Sequence, residues 1–282
     1  MRVDTSMAHC HNLSYTMLNS TYLHTPGVGP ATELDLWRQG AHTWDHFLEN
    51  AATLHIPKRF QCKLQSRVEE SVAMLDAARV DYFAQALPKR EHWRSASHFN
   101  DKLGYLDIET DGGNDADSVT LIGISDGFDT KFYIKGQNLA QFAYDCQEFD
   151  GFVTFFGGGF DIPFLVRRFP VLRRVFDDRF HIDLCPLLKR LGHRGGLKKI
   201  ERELKITRVP EAEGLDGMDA VRLWYAYIRG GRGADNALEQ LLAYNREDVE
   251  NMKILLNYAL PKMRDASGWV DPMSLEQLAH VP

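Results

Sequence analysis

Apolar and polar residues alternate with period two through Gly104-Tyr105-Leu106-Asp107-Ile108-Glu109, and this spacing predicts a strand. Tyr105, Asp107 and Glu109 share one face of it, so two carboxylates point the same way. Residues 119–125 and 130–135 predict two further strands, separated by the turn-forming pair Asp126-Gly127 and close enough for an antiparallel meander. Residues 138–149 carry apolar side chains at helical spacing (Leu139, Phe142, Ala143, Cys146), with Asn138 as the expected cap. A short buried strand over residues 152–156 leaves through Gly157-Gly158-Gly159-Phe160-Asp161 into a helix over residues 162–168. Residues 179–184 predict a fifth strand. Beyond Cys185 the pattern is helical except at glycine breaks, of which Gly230-Gly231-Arg232-Gly233 predicts a loop between helices. The order predicts an α/β domain with a mixed five-stranded sheet flanked by helices.

Upstream the periodicity changes. Residues 1–17 show none and predict a flexible start. Two short helices joined by the Gly27-Val28-Gly29 turn follow, with Thr43 as the N-cap of the helix that carries Trp44, Phe47 and Leu48. The pair is similar to a helix-hairpin-helix element, whose turn amides contact a phosphate; the alternative is a small packing domain. Val68, Val72, Leu75, Ala78 and Phe83 predict one connecting helix across residues 57–87. The polar residues 88–102, with Lys89, Arg90 and Arg94, read as a surface linker. The expected organisation is therefore a helical region over 1–57, a connecting helix and linker over 58–98, the α/β domain over 99–262 and a tail over 263–282.

Composition adds limits rather than direction. Hydrophobic residues at 44% and charged residues at 26% are those of an ordinary globular chain, which argues against a fibrous or disordered one. No apolar run approaches the roughly 20 residues of a membrane span, and no signal-peptide core is seen, so a cytoplasmic protein without a membrane partner is expected. Cys10, Cys62, Cys146 and Cys185 show no CxxC spacing and imply neither a zinc site nor a disulfide framework. A net charge of −6 argues against indiscriminate polyanion binding, but local charge governs docking.

The chemistry rests on acids. Asp107 and Glu109, held on one strand face, repel unless a cation lies between them, and a hard divalent ion with oxygen ligands answers that need. Read alone, they are equally two solvated acids before the turn Asp111-Gly112-Gly113. Asp161 sits where a strand hands over to a helix, with Pro163 in the first turn, and taken alone is an N-cap aspartate. Tyr244 and Asp248 are four residues apart, hence on one helical face. Taken in isolation they read as a half-buried tyrosine beside a surface acid.

Together, Asp107-x-Glu109, the pair Phe160-Asp161 after a glycine-bearing strand exit, and Tyr244 with Asp248 resemble the three motifs of the DEDD, or DnaQ-like, 3′-5′ exonucleases in their tyrosine variant. Phe180-His181-Ile182-Asp183-Leu184, residues 195–201 and Tyr244-Asn245-Arg246-Glu247-Asp248-Val249 are similar to the YprB-type RNase H-like proteins. The resemblance covers about residues 100–260. It implies an RNase H-like fold and a nuclease that hydrolyses phosphodiester bonds at the 3′ end of DNA or RNA. It further implies two divalent cations, Mg²⁺ or Mn²⁺, on Asp107, Glu109, Asp161 and Asp248, with Tyr244 orienting the attacking water. The pattern departs at Phe156, where relatives commonly carry asparagine, a position that bears on substrate placement rather than on metal.

Thr110, Phe160, Arg167 and Lys198 are the expected substrate contacts, within a wider basic set that includes Arg168, Arg173, Arg174, Arg179, Lys189, Arg190, His193, Arg194 and Lys199. Asp183 is read as a structural aspartate. A catalytically silent nucleic-acid or protein-binding module and a structure-specific endonuclease remain the rival readings.

Overall fold

The first strand is covered on both faces, and its successive side chains enter opposite layers. In the computed structural model, which describes residues 16–270, β1 (Leu103–Thr110) sends Leu106 and Ile108 into one apolar cluster and Leu103 and Tyr105 into another. Around it are β2 (Val119–Ser125), β3 (Thr130–Ile134), β4 (Gly151–Thr154) and β5 (Phe180–Asp183), in the spatial order β3-β2-β1-β4-β5. β1 pairs antiparallel with β2 and parallel with β4; β2 and β3 are antiparallel, β4 and β5 parallel. The mixed five-stranded sheet flanked by helices is thus as the sequence predicts.

The helices are α1 (Met17–Ser20), α2 (Pro30–Arg38), α3 (Trp44–Asn50), α4 (Lys58–Asp76), α5 (Val80–Ala86), α6 (Phe142–Asp145), α7 (Asp161–Arg168), α8 (Leu172–Asp177), α9 (Leu184–Arg190), α10 (Leu197–Glu203), α11 (Gly217–Arg229) and α12 (Ala234–Ser267). α6, α7 and α8 cover the face that buries Leu106, Ile108, Ile122 and Phe152. On the opposite face α12 crosses β1 and β2 and packs against α11, burying Tyr105, Leu121, Leu241 and Tyr244. Each large apolar side chain so buried contributes roughly 1.5–3 kcal/mol. Asp107 and Glu109 follow Tyr105 at two-residue steps and so meet α12. No helix among the described residues is long and apolar enough to cross a membrane.

Three expectations are corrected. Residues 57–87 form two helices, not one, because Ala78 adopts a left-handed φ of 50° and Arg79 N–H bonds back to the Met74 carbonyl at 2.9 Å, closing α4. Residues 138–149 form three short turns rather than one helix. The Asn138 side chain, instead of capping, ties back to β3: its Oδ1 accepts from Ile134 N at 2.7 Å and its Nδ2 donates to the Phe132 carbonyl at 3.0 Å.

The third correction concerns residues 88–102, read as a surface linker. A 3-10 segment (Lys89–Ser95) buries Glu91, His92, Trp93, Arg94 and Ser95. Arg94 lies 3.0 Å from both Glu33 and Glu91, and His92 Nδ1 accepts the free N–H of His181 on edge strand β5 at 3.0 Å. The proton of His92 therefore sits on Nε2, facing the Ala84 and Leu87 carbonyls, and burial pushes its pKa down to about 4, so the ring is neutral. Charges paired inside the core look like linker charges in sequence.

In the amino-terminal region Thr43 caps α3 through His46 N, as expected. Gly27-Val28-Gly29 leads into α2, with Gly29 at its N-cap and Pro30 at N1. The expected flexible start, apart from its last residues, and the end of the expected tail lie outside the described residues.

Candidate active site

Asp107, Glu109 and Asp248 each place a carboxylate oxygen within 4.8 Å of the others. The first two come from β1 and the third from the middle of α12. Glu109 and Asp248 are buried, and Asp107 is half-buried beside a cavity of about 270 Å³ that is also lined by Phe155, Lys198, Lys199 and Tyr244.

Asp161, the first residue of α7, stands next to this trio rather than within it. Its Oδ1 accepts the Ile108 N–H at 3.1 Å. β1 pairs with β4 only over residues 103–105, so beyond Tyr105 the strand leaves its neighbour and the Asp161 carboxylate takes up an otherwise open amide. The residue has an anchoring role as well as a charge directed at Asp107 and Glu109.

Burial and the crowding of like charges raise every acid here. Asp107 is held well above the usual carboxylate range by burial, then by Asp161, Asp248 and Glu109. Glu109 is pushed up to about 8 by burial and then by Asp248, against the pull of the Asn245 amide and Lys198. Burial lifts Asp161 to about 7, offset in part by backbone N–H donors. Asp248 is raised by burial although Arg208 and Lys198 pull it down. Such a group holds its full charge at neutral pH only with added positive charge.

Tyr244 lies on the same face of α12, one turn before Asp248. Its pKa is raised by burial, then by Asp248 and Glu109, so the phenol keeps its proton. Lys198 Nζ donates to the Tyr244 hydroxyl and to the Leu215 carbonyl, and rests 3.9 Å from the Tyr244 ring centroid. Of the other expected contacts, Phe160 is partly exposed against Phe164 at the start of α7, and Thr110 sits at the bulge that ends β1. Arg167 is not drawn into the group; it is exposed on α7 with its guanidinium 4.4 Å from the Phe164 ring centroid.

Two residues in the group were missed from sequence. Asn245 Nδ2 donates to Asp107 Oδ2 at 2.8 Å and reaches Glu109 Oε1 at 3.4 Å, bridging both acids of β1. Its adjacency to Tyr244 was the available signal. Arg208, in the loop after α10, donates to Asp248 and forms a bidentate pair with buried Glu201 at 2.7 Å for both bonds. No local pattern marks it.

The glycine exit from β4 also has a cause within the chain. A Cβ on Gly157 would strike the Thr154 side chain, and one on Gly159 would lie 2.8 Å from the Phe156 ring. Asp183 accepts the N–H groups of Phe156, Gly158 and Cys185 at 2.8, 3.1 and 3.1 Å, which makes it the structural aspartate expected. Phe156 itself has a left-handed φ of 65°. Asparagine tolerates that region far better than phenylalanine, a backbone reason for the residue found there in the resembled pattern.

No curated protein and no solved structure matches the chain. Residues 104–260, more than half of the 282, match the family model of the RNase H superfamily, and they span β1 with its two acids through α12 with Asp248. The chain belongs to the RNase H superfamily.

Proposed function

We propose that the chain is a metal-dependent 3′-5′ exonuclease that hydrolyses phosphodiester bonds of DNA or RNA, of the DEDDy, YprB-like kind. The observation that carries this reading is the convergence of Asp107, Glu109 and Asp248 from distant parts of the chain, with Asp161 alongside and Tyr244 one helical turn from Asp248. An all-carboxylate donor set of this closeness, short of positive charge, fits a hard divalent ion such as Mg²⁺ or Mn²⁺. Asp107, Glu109, Asp248 and Asp161 would hold two such ions, which when bound supply charge stabilisation at the phosphate and acidify the attacking water.

The chain's own groups then have separate tasks. Tyr244, a neutral phenol fixed by Lys198, orients water by hydrogen bonding rather than by taking its proton. Lys198 offers its charge to the phosphate from the cavity wall. Asn245 keeps the Asp107 and Glu109 carboxylates in one orientation. Phe160 and Thr110 flank the acids as sugar or base contacts, and Arg167 serves the more distant backbone.

One observation favours a second reading, a module that binds nucleic acid without cutting it: the Arg208 guanidinium already engages Asp248. Incubation of the purified chain with 5′-labelled single- and double-stranded DNA and RNA, in Mg²⁺, Mn²⁺ or EDTA, separates the possibilities. A metal-dependent ladder shortening from the 3′ end is expected. Discrete internal cuts would make it an endonuclease, and binding without cleavage would leave the silent module. Asp107→Ala should abolish cleavage while the fold persists.

A further inference from the structure

A second pocket opens at the outer edge of the sheet, where the 3-10 segment at Lys89–Ser95 meets β5 and α9. Its volume is about 260 Å³. Lys89, Arg90 and Arg190 form its rim, Ile182 and Leu187 lie in its floor, and Gly158 of the loop that leads to Asp161 closes one side. Like the acids, it is lined from the carboxyl-terminal part of a sheet strand, the side on which open α/β sheets take their ligands.

Three features make this a binding surface rather than a solvated charge run. The basic groups come from segments a hundred residues apart and are locked together: Arg190 Nη1 donates to the Arg90 carbonyl at 2.9 Å, and its Nη2 lies 3.3 Å from Glu91. The nearby acids are already occupied. Glu91 serves Arg94 and Trp93 with one oxygen and faces Arg190 and Arg90 with the other, while Asp183 accepts three backbone N–H groups. Lys89 and Arg90 are exposed, and Lys89 has no ion pair among the described residues. In a chain of net charge −6 this is a local positive site above an apolar floor.

We propose that this pocket holds the substrate strand at a second point, its rim on a backbone phosphate and its floor against the attached sugar or base. The proposal rests on the nuclease reading above. Only two residues, Gly159 and Phe160, separate Gly158 from Asp161, at most about 11 Å between their Cα atoms, so one strand can touch both places. A substrate with a single phosphodiester, seated at the acids, has no second phosphate to offer the rim.

The test uses the full chain with Lys89→Glu and Arg90→Glu together, and Lys89→Gln with Arg90→Gln as a milder pair should reversal disturb folding. Binding of a single-stranded DNA or RNA oligomer of about 15 nucleotides is followed by fluorescence anisotropy in EDTA across a salt series. Hydrolysis of that oligomer is compared with that of a dinucleotide in Mn²⁺. Expected are at least tenfold weaker oligomer binding, a log-log salt slope shallower by about one to two, and unchanged kcat/KM on the dinucleotide. Oligomer binding within twofold of the unaltered chain would overturn the proposal while leaving the nuclease reading intact. Loss of binding in the variants of a chain that cuts nothing would keep the pocket and remove the nuclease. An unaltered chain that binds no oligomer would overturn the pocket, and only one that also cuts none in Mn²⁺ would remove the nuclease as well.

Discussion

Gly123 and Asn245 share one space. They lie on β2 and α12, and Gly123 is the residue paired with Asp107 in the sheet. A Cβ on Gly123 would stand 3.0 Å from Asn245 Cγ and collide with its Oδ1, which is buried without a hydrogen-bond partner among the described residues. The missing side chain is what lets the amide reach the two acids. Gly123→Ala should push Asn245 off Asp107 and Glu109, at a cost of about 1–3 kcal/mol in stability. Mn²⁺ affinity, measured calorimetrically, should fall by tenfold or more, and Asn245→Ala should reproduce the metal loss.

Glu109 should report its raised pKa through stability. In the metal-free protein the folded carboxyl keeps its proton up to about pH 8, whereas the unfolded one loses it near its ordinary value of 4.5. Wild-type stability is therefore drained as pH rises through that window, and Glu109→Gln removes the drain. Chemical denaturation in EDTA should find the two proteins equal below about pH 4.5 and the Gln variant more stable by a few kcal/mol above pH 8. Adding Mn²⁺ at pH 8 should stabilise the wild type and leave the variant much less affected.

Arg208 neutralises two buried carboxylates at once, Asp248 and Glu201. Arg208→Ala should cost about 3–5 kcal/mol, the scale for orphaning a buried charge. A divalent ion bound as proposed would replace the guanidinium at Asp248 but not at Glu201, which is held 3.1 Å from Asn251 deeper in the helix packing. Thermal melts should thus show Mn²⁺ restoring part, and only part, of the lost stability.

Phe156 carries backbone strain on an exposed ring. Phe156→Asn keeps the N–H that Asp183 accepts and suits the left-handed φ, so thermal stability should rise by about 1 kcal/mol. A fall in stability would show that the Phe156 ring over Gly159 contributes more than the strain removes.

What could be read from the chain followed its periodicity. Alternation in β1 was enough to put Asp107 and Glu109 on one face, and four-residue spacing put Tyr244 with Asp248, because each pattern reports which side of an element meets its neighbour. Arg208 could not be found in this way. It belongs to an irregular loop, and its partners Glu201 and Asp248 are 7 and 40 residues distant. Asn245 was visible as a letter beside Tyr244, yet its task depends on a glycine in β2 that leaves room for it. The 88–102 segment misled for a related reason: Glu91 and Arg94 find opposite charge inside the core, and hydrophilic composition carries no record of pairing.

The carboxyl-terminal half of α12 has a wider consequence. Val249, Met252, Leu255, Leu256, Ala259 and Met263 sit in the same cluster as Leu18, Trp37, Phe47 and Phe83. The helix that presents Asp248 thus shares one core at its far end with α1, α2, α3 and α5, and the two regions should melt together in a single cooperative transition. A fragment trimmed to residues 104–260 would bare that seam as a greasy, unpartnered flank and lose the rigid lever on which its third acid rides.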